Sequence, residues 1–382
     1  MQKTEQFFAT CPRGLEALLA DELRGLGAEA VEPVQGGVGF AGPFELCYRI
    51  NLHTRLASRV LWRVGGGEYF DEEDVYHGTL SIDWPKFFTL QQTIMVKVTA
   101  QRSPLKSLEY VTLKIKDAVC DRFREATGER PSVDTREPEV RIHAYLTADM
   151  CTLYLDTSGQ ALFKRGLRKQ AGLAPLNENL AAGMILLSGW QPGEPFFDPM
   201  CGSGTLLMEA ALMALNIAPG SGRDFGFERL LRFDALQWQT LREEARAQQL
   251  APTPQPIFGR DLFGSSLDDA RANIVAAGLE GVVELKQGNV LEVPAPAATG
   301  VMVTNPPYGV RIGEQSELAA FYPRLGDWLK RRCTGWRVYI LSADMALPKL
   351  IRLHASRRTP LFNGALECRL FEYRMVAGSA RD

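Results

Sequence analysis

Residues 196–211 read FFDPMCGSGTLLMEAA: an apolar strand ending on Asp198, a turn carrying Gly202 and Gly204, and the apolar opening of a helix. A strand that feeds a helix through a glycine turn begins a βα unit. Glycine at the turn lets the backbone approach a nucleotide-like ligand that any Cβ would push away. The third glycine of the dinucleotide fingerprint is missing, Leu207 taking its place, and no Gly-Lys-Ser/Thr follows. Hydride transfer and ATP hydrolysis lose ground accordingly. Cys201 sits inside the turn with no His or other evident base beside it in the sequence, so it reads as a small turn residue and not as a nucleophile.

Outward from this stretch the C-terminal half alternates strand and helix candidates. After PFFD (195–198) and a helix over 203–216 come PIFGRD (256–261), a helix over 265–277, VVELKQG, VMVTN (301–305), a helix over 316–331, WRVYILSA, a helix over 344–355 and the strand LECRLFEYRMV. The alternation predicts an α/β fold with a mostly parallel sheet, helices on both faces, and a ligand site beyond the carboxyl ends of the strands. Between Pro219 and Pro256 an insertion with one helical stretch (234–250) and a proline-rich end reads as a surface excursion.

The N-terminal half reads differently. Leu15, Leu18, Leu19, Leu23 and Leu26 trace one helix face closed by Gly27, followed by the strand region GGVGFAG: a small α+β unit over 1–50. A second helical pattern over 44–58 leads into the strand SRVLWRV, after which GGG (65–67) and EYFDEED predict a loop. IMVKVTA (94–100) reads as a half-buried strand, 108–127 as a helix with Val111, Ile115, Val119 and Phe123 on one stripe, and EVRIHAYLTAD with MCTLYLDTS as a hairpin. GQALFKRGLRKQAGLAP carries Lys164, Arg165, Arg168 and Lys169 without an acidic residue between Asp156 and Glu178. It reads as the linker between halves, which sets regions of 1–50, 51–158 and 159–382.

With 382 residues, 46% hydrophobic and 23% charged, the chain is long enough for two or three domains and has ordinary globular usage. Forty-three basic against 45 acidic residues give a formal charge of −2, so nucleic-acid binding must come from local patches and histone-like wrapping is excluded. The apolar runs are too short to span a membrane, and the N-terminal stretch lacks a secretory pattern, so a cytoplasmic location is expected. Seven separated cysteines without a CxxC pair and four scattered histidines offer neither a disulfide framework nor a metal site; no metal is expected.

Three further motifs carry chemistry. Asp261 ends the GRD strand, where a carboxylate can accept both hydroxyls of a ribose. Asn289, just after the third strand, can reach an adenine edge. VMVTNPPYG (301–309) is the most specific: two consecutive prolines hold the chain extended and remove two donors, leaving backbone carbonyls as acceptors, and Asn305 adds a side-chain carbonyl. Such acceptors can hold the hydrogens of an exocyclic amine and aim its lone pair at an electrophile, while Tyr308 offers a ring for the base.

Asp-Pro-x-Cys-Gly-Ser-Gly-Thr, the Gly-x-Asp strand end and Asn-Pro-Pro-Tyr, in this order, resemble the S-adenosylmethionine-dependent amino methyltransferases of the seven-stranded, Rossmann-like class. RINLHTRLASRVLWRV, SIDWPKFF, LKIKDAVCDRFRE, RPSVDTREPEVRI, LDTSGQALFKRGLRKQAGLAPL and FFDPMCGSGTLLMEAALMA are similar, more closely, to THUMP-domain RNA methyltransferases of the RlmL type, over about residues 5 to 376. That resemblance implies a ferredoxin-like plus THUMP RNA-binding region ahead of the methyltransferase domain, and formation of N2-methylguanosine in large-subunit (23S) ribosomal RNA, naked or in a pre-ribosomal particle. It implies S-adenosylmethionine as cofactor and S-adenosylhomocysteine as product. Asp198, Met200, Cys201, Gly202, Gly204 and Thr205 would hold the methionine end, Asp261 and Leu262 the ribose side, Asn289 and Val290 the adenine. Asn305, Pro306 and Tyr308 would hold the guanine amine, with Asn305 also touching the cofactor. Asn289 departs from the Asp usual in relatives. For RNA, Lys97, Arg102, Lys106, Lys114, Lys116, Arg122 and Arg124 form the candidate basic face, with Lys164, Arg165, Arg168 and Lys169 bridging toward the catalytic half.

Asn-Pro-Pro-Tyr also serves adenine-N6 DNA and glutamine-N5 protein methyltransferases, and a related THUMP group acts on transfer-RNA guanines. From another class, the chain could be a catalytically silent RNA-binding assembly factor. The N-terminal resemblance favours RNA, and the intact glycine turn and Asn305–Tyr308 set favour catalysis.

Overall fold

The computed structural model describes residues 3–166, 176–306 and 312–376, with backbone alone for 312–319. In chain order the N-terminal half holds β1 (Glu5–Thr10), α1 (Glu16–Gly25), β2 (Glu29–Val34), β3 (Gly37–Gly42), α2 (Leu46–His53), β4 (Arg59–Glu68), α3 (Glu72–Leu80), β5 (Ile94–Ala100), α4 (Leu108–Thr127), β6 (Val140–Leu146) and β7 (Met150–Asp156). The strands form one sheet in the order β2-β3-β1-β4-β7-β6-β5. Strand β4 pairs antiparallel with both β1 and β7, so a single sheet runs through the whole half. Helix α4 buries the expected stripe of Val111, Ile115, Val119 and Phe123, is capped by the Ser107 hydroxyl, and stops at the left-handed Gly128.

Two expectations fail here for local reasons. The triple glycine is not a loop but the end of β4, where the register shifts between Arg63 and Gly65; a Cβ on Gly66 (φ +146°) would run into the Cys151 carbonyl of the neighbouring strand. These glycines permit close strand approach, a use that composition cannot distinguish from a turn. The acidic stretch after them begins helix α3, opened by a capping box in which Asp71 accepts from the Asp74 amide and the Asp74 side chain accepts from the Asp71 amide.

The C-terminal half continues with α5 (Glu178–Ser188), β8 (Phe196–Asp198), α6 (Thr205–Ala214), α7 (Ala235–Ala247), β9 (Ile257–Asp261), α8 (Gly264–Ala276), β10 (Glu284–Gln287), β11 (Gly300–Thr304), α9 (Ile312–Arg332), β12 (Trp336–Ser342), α10 (Leu347–Leu350), β13 (Arg357–Asn363) and β14 (Leu366–Arg374). Its seven strands are ordered β10-β9-β8-β11-β12-β14-β13, the first five parallel and the last two an antiparallel hairpin. Helix α5 escaped the sequence reading because it is buried nearly all round and shows no polar face. β13, with exposed arginines and a proline, gave no strand pattern, and the helix expected over 344–355 shortens to α10. One core of this half groups Phe197, Met302, Trp328, Trp336, Val338 and Tyr373.

The chain divides into two compact units: residues 1–11, 19–162 and 223–244 form the first, and 12–18, 163–222 and 245–382 the second. The insertion expected to be a surface excursion is therefore partly core of the first unit. Phe225, Phe227 and Trp238 are buried there, with the rings of Phe227 and Trp238 edge-to-face at 5.1 Å and Phe227 stacked on Tyr48 at 4.5 Å. Arg232 lies over the Phe44 and Trp62 rings and donates to Glu5 at 2.6 Å. Phe227 lies 179 positions from Tyr48, and partners so far apart leave no trace in local periodicity.

Candidate active site

The site is built where β8, β9 and β11 end side by side. Parallel pairing sets Asp198 opposite Gly259 and Met302 opposite Phe197, which brings the β8 and β11 ends together. There the Thr304 hydroxyl donates to Asp198 Oδ1 at 2.8 Å, and the Met200 amide donates to the same oxygen at 3.2 Å. Asn305 follows Thr304 directly and is half-buried; Pro306 is buried. Asn305 is thereby one residue from the group that holds the start of the glycine turn. Tyr308 lies outside the described residues.

Asp198 is buried, and desolvation pushes its carboxyl up to about 7; the Thr304 and Met200 hydrogen bonds pull it down, and Asp261 raises it further. Asp261, at the end of β9, accepts from the Gly202 amide at 3.0 Å with Oδ2 and from the Phe263 amide at 3.0 Å with Oδ1. Each of its oxygens keeps a second lone pair, the two acceptors a vicinal diol requires. The turn itself is fixed by Cys201 N to Arg260 O and Gly204 N to Cys201 O, both 2.8 Å. Gly202 (φ +51°) has open space where a Cβ would stand, while a Cβ on Gly204 (φ +83°) would press on Ala270 of α8 at 3.2 Å. One glycine faces space and the other seats α8 against the turn.

Thr205 is buried at the start of α6, Met200 packs beside the core, and Val290 is buried. Leu262 is 55% exposed after Asp261. Asn289 accepts from the Leu291 amide at 3.1 Å and donates its Nδ2 to Glu292 at 2.9 Å, so both ends of its amide have a protein partner. Burial pushes the Cys201 thiol well above its ordinary range, and Asp198 and Asp261 add to this, which keeps it from being a thiolate. Sequence reasoning missed Thr304, and also Asn273, a buried α8 residue that donates to the Ser203 carbonyl at 3.1 Å. The signal for Thr304 was its place next to Asn305; Asn273 gave none.

The candidate RNA bases fall into two groups. Lys97, Arg102 and Lys106 are exposed on β5 and the loop after it. On α4, Lys114 pairs with Glu73, Lys116 with Asp117 at 2.6 Å, Arg122 with Asp83 at 3.2 Å and Arg124 with Asp121 at 2.8 Å. Lys164 is exposed, whereas Arg165 is only 3% exposed and donates to the buried Glu209 of α6 at 3.2 Å. Arg168 and Lys169 lie outside the described residues.

Residues 165–372 match the RMKL-like methyltransferase domain, 69–156 the THUMP domain and 6–61 the RlmL ferredoxin-like domain. The chain belongs to the RMKL-like methyltransferases. Among members of this group, it is 42% identical over 395 residues to the ribosomal RNA large subunit methyltransferase K/L of Aeromonas salmonicida, covering 98% of this chain and 55% of that protein. It is 39% identical over 373 residues to slr0064 of Synechocystis sp., named as a candidate RNA methyltransferase, covering 97% of each. The chain spans about half the length of the K/L proteins it matches and nearly all of slr0064. The crystal structure of SMU.472, a candidate methyltransferase complexed with SAH, superimposes with a TM-score of 0.90 at 32% identity, over 98% of this chain and 99% of that one. The expected seven-stranded methyltransferase domain behind ferredoxin-like and THUMP regions is thus the architecture of this protein.

Proposed function

We propose that this RMKL-like methyltransferase transfers a methyl group from S-adenosylmethionine to the exocyclic N2 of a guanosine in 23S ribosomal RNA. The observation that carries the reading is the hydrogen bond from Thr304 to Asp198, which ties the residue before Asn305 to the strand end that opens the glycine turn. A donor pocket and an amine clamp need that adjacency. The residues present fit the donor: open space over Gly202, an acceptor pair on Asp261 for a diol, and the acidic Asp198 for a cationic end.

When bound, S-adenosylmethionine supplies an electrophilic methyl on a sulfonium. The side-chain carbonyl of Asn305 and the backbone carbonyl of Pro306 accept the hydrogens of the guanine amine, which leaves its lone pair free to attack. The proton lost after transfer passes to water, and no strong base is required. A paired guanine cannot enter, so the nucleotide is flipped out or already unpaired, at a cost of a few kcal/mol. Lys97, Arg102, Lys106 and Lys164 are exposed, which suits contacts to phosphates that carry no sequence information. The THUMP match and the names of the relatives favour RNA, and the K/L names favour the large ribosomal subunit. A cytoplasmic location follows from that substrate; among the described residues no helix is long and apolar enough to cross a membrane.

The test is tritium transfer from labelled S-adenosylmethionine to 23S RNA lacking the modification, followed by nucleoside analysis. N2-methylguanosine is expected, and a labelled adenosine or protein would replace the reading. Asn305→Ala should abolish transfer while calorimetric affinity for S-adenosylmethionine changes little; unchanged turnover would remove the amine clamp.

A further inference from the structure

We propose that the outer face of helices α3 and α4 holds a subsite for one unpaired nucleotide of single-stranded RNA, in the pocket walled by Tyr76 and Tyr110. This deepens the reading above, on which it rests for the identity of the RNA. The pocket is an open groove with a volume of about 540 Å³, room for one nucleotide. Tyr110 and Leu113 project from α4 into it and are 47% and 51% exposed, large apolar groups that nothing in the first unit covers among the described residues. The Lys114 ammonium stands 5.6 Å from the centres of both the Tyr76 and Tyr110 rings. The Tyr76 hydroxyl is pinned by donation to Asp121 at 2.9 Å. The Tyr76 ring, held this firmly, makes a stacking surface that requires little ordering when a base arrives.

Charge decides the class of ligand. Lys114 faces both rings and pairs with Glu73, and Arg124 pairs with Asp121, so neither carries an uncompensated charge. Two carboxylates, Asp117 and Asp121, line the same wall, paired with Lys116 and Arg124. Arg130, just past the end of α4, also lines the pocket and pairs with no carboxylate among the described residues. Arg130 thus carries the uncompensated charge of the lining, and a nucleotide fits it: a flat base for the tyrosines, amino hydrogens for a carboxylate, and one phosphate for Arg130.

The experiment measures fluorescence anisotropy of the full chain with a labelled, unstructured octaadenylate and with an eight-base-pair RNA duplex. Tyr110→Ala and Arg130→Ala should each weaken octaadenylate binding by roughly tenfold, with Tyr110→Phe close to wild type and circular dichroism unchanged. Duplex binding should hardly change in Tyr110→Ala. Unchanged octaadenylate affinity in a folded Tyr110→Ala protein overturns the subsite, as does an equal loss for the duplex. Methyl transfer by the wild-type chain is scored separately: if it methylates 23S RNA while Tyr110→Ala still binds octaadenylate normally, the subsite alone fails. If it methylates no RNA, the function fails and the binding result still judges the pocket.

Discussion

Asp198 and Asp261 end neighbouring strands, yet they face different tasks because their surroundings differ. Asp261 accepts two backbone amides and stays ready as an acceptor, whereas Asp198 is deeply buried with its carboxyl raised to about 7. A carboxyl raised on folding holds its proton over a range where the unfolded chain has released it. Its contribution to stability is therefore complete below about pH 4, declines as pH rises, and is gone above about 7. Urea-unfolding midpoints should fall over that range in wild type relative to Asp198→Asn, and run parallel above it; parallel curves throughout would remove the raised carboxyl. The same group should strengthen binding of the cationic cofactor as pH rises from 6 to 8, a slope that calorimetry should find absent in Asp198→Asn. Asp261→Ala should weaken S-adenosylmethionine binding at every pH, and normal affinity in that variant would refute its role toward the ribose.

Elements separate two neighbouring bases that look alike in sequence. Lys164 and Arg165 share one basic run, but the packing turns Lys164 out and seats Arg165 against Glu209 inside the second unit. Removing one partner of a buried pair leaves the other charge uncompensated, at a cost of about 3–5 kcal/mol. Arg165→Ala should therefore lower the unfolding free energy by that order; an unchanged value in urea unfolding would mean that the pair is not what holds this segment. Period and polarity made most elements legible: α4 spans the 108–127 read from its apolar stripe, and β8, β9 and β11 fall where apolar runs end on Asp or Asn. Elements that failed lack an amphipathic signature, namely the wholly buried α5 and the glycine end of β4. At the candidate site, the placement of Asp198, Asp261 and Asn305 at strand ends was legible because each closes or follows an apolar run, whereas Asn273 makes a fold contact that no motif announces.

At the scale of the molecule, the two units are interleaved along the chain, with boundaries after Cys11, Leu18, Leu162, Gly222 and Glu244. Residues 223–244 carry aromatic side chains that complete the first unit's interior, so Trp238→Ala should destabilise it by about 3–5 kcal/mol. Urea unfolding followed by amide hydrogen exchange checks this, because protection should drop in β1 and β4; loss confined to the second unit would contradict the assignment. This threading also sets the order of events during translation. A ribosome that has released residue 162 has delivered every strand of the N-terminal sheet but not Phe227 or Trp238, so the nascent sheet waits for some eighty more residues before its own hydrophobic interior can close.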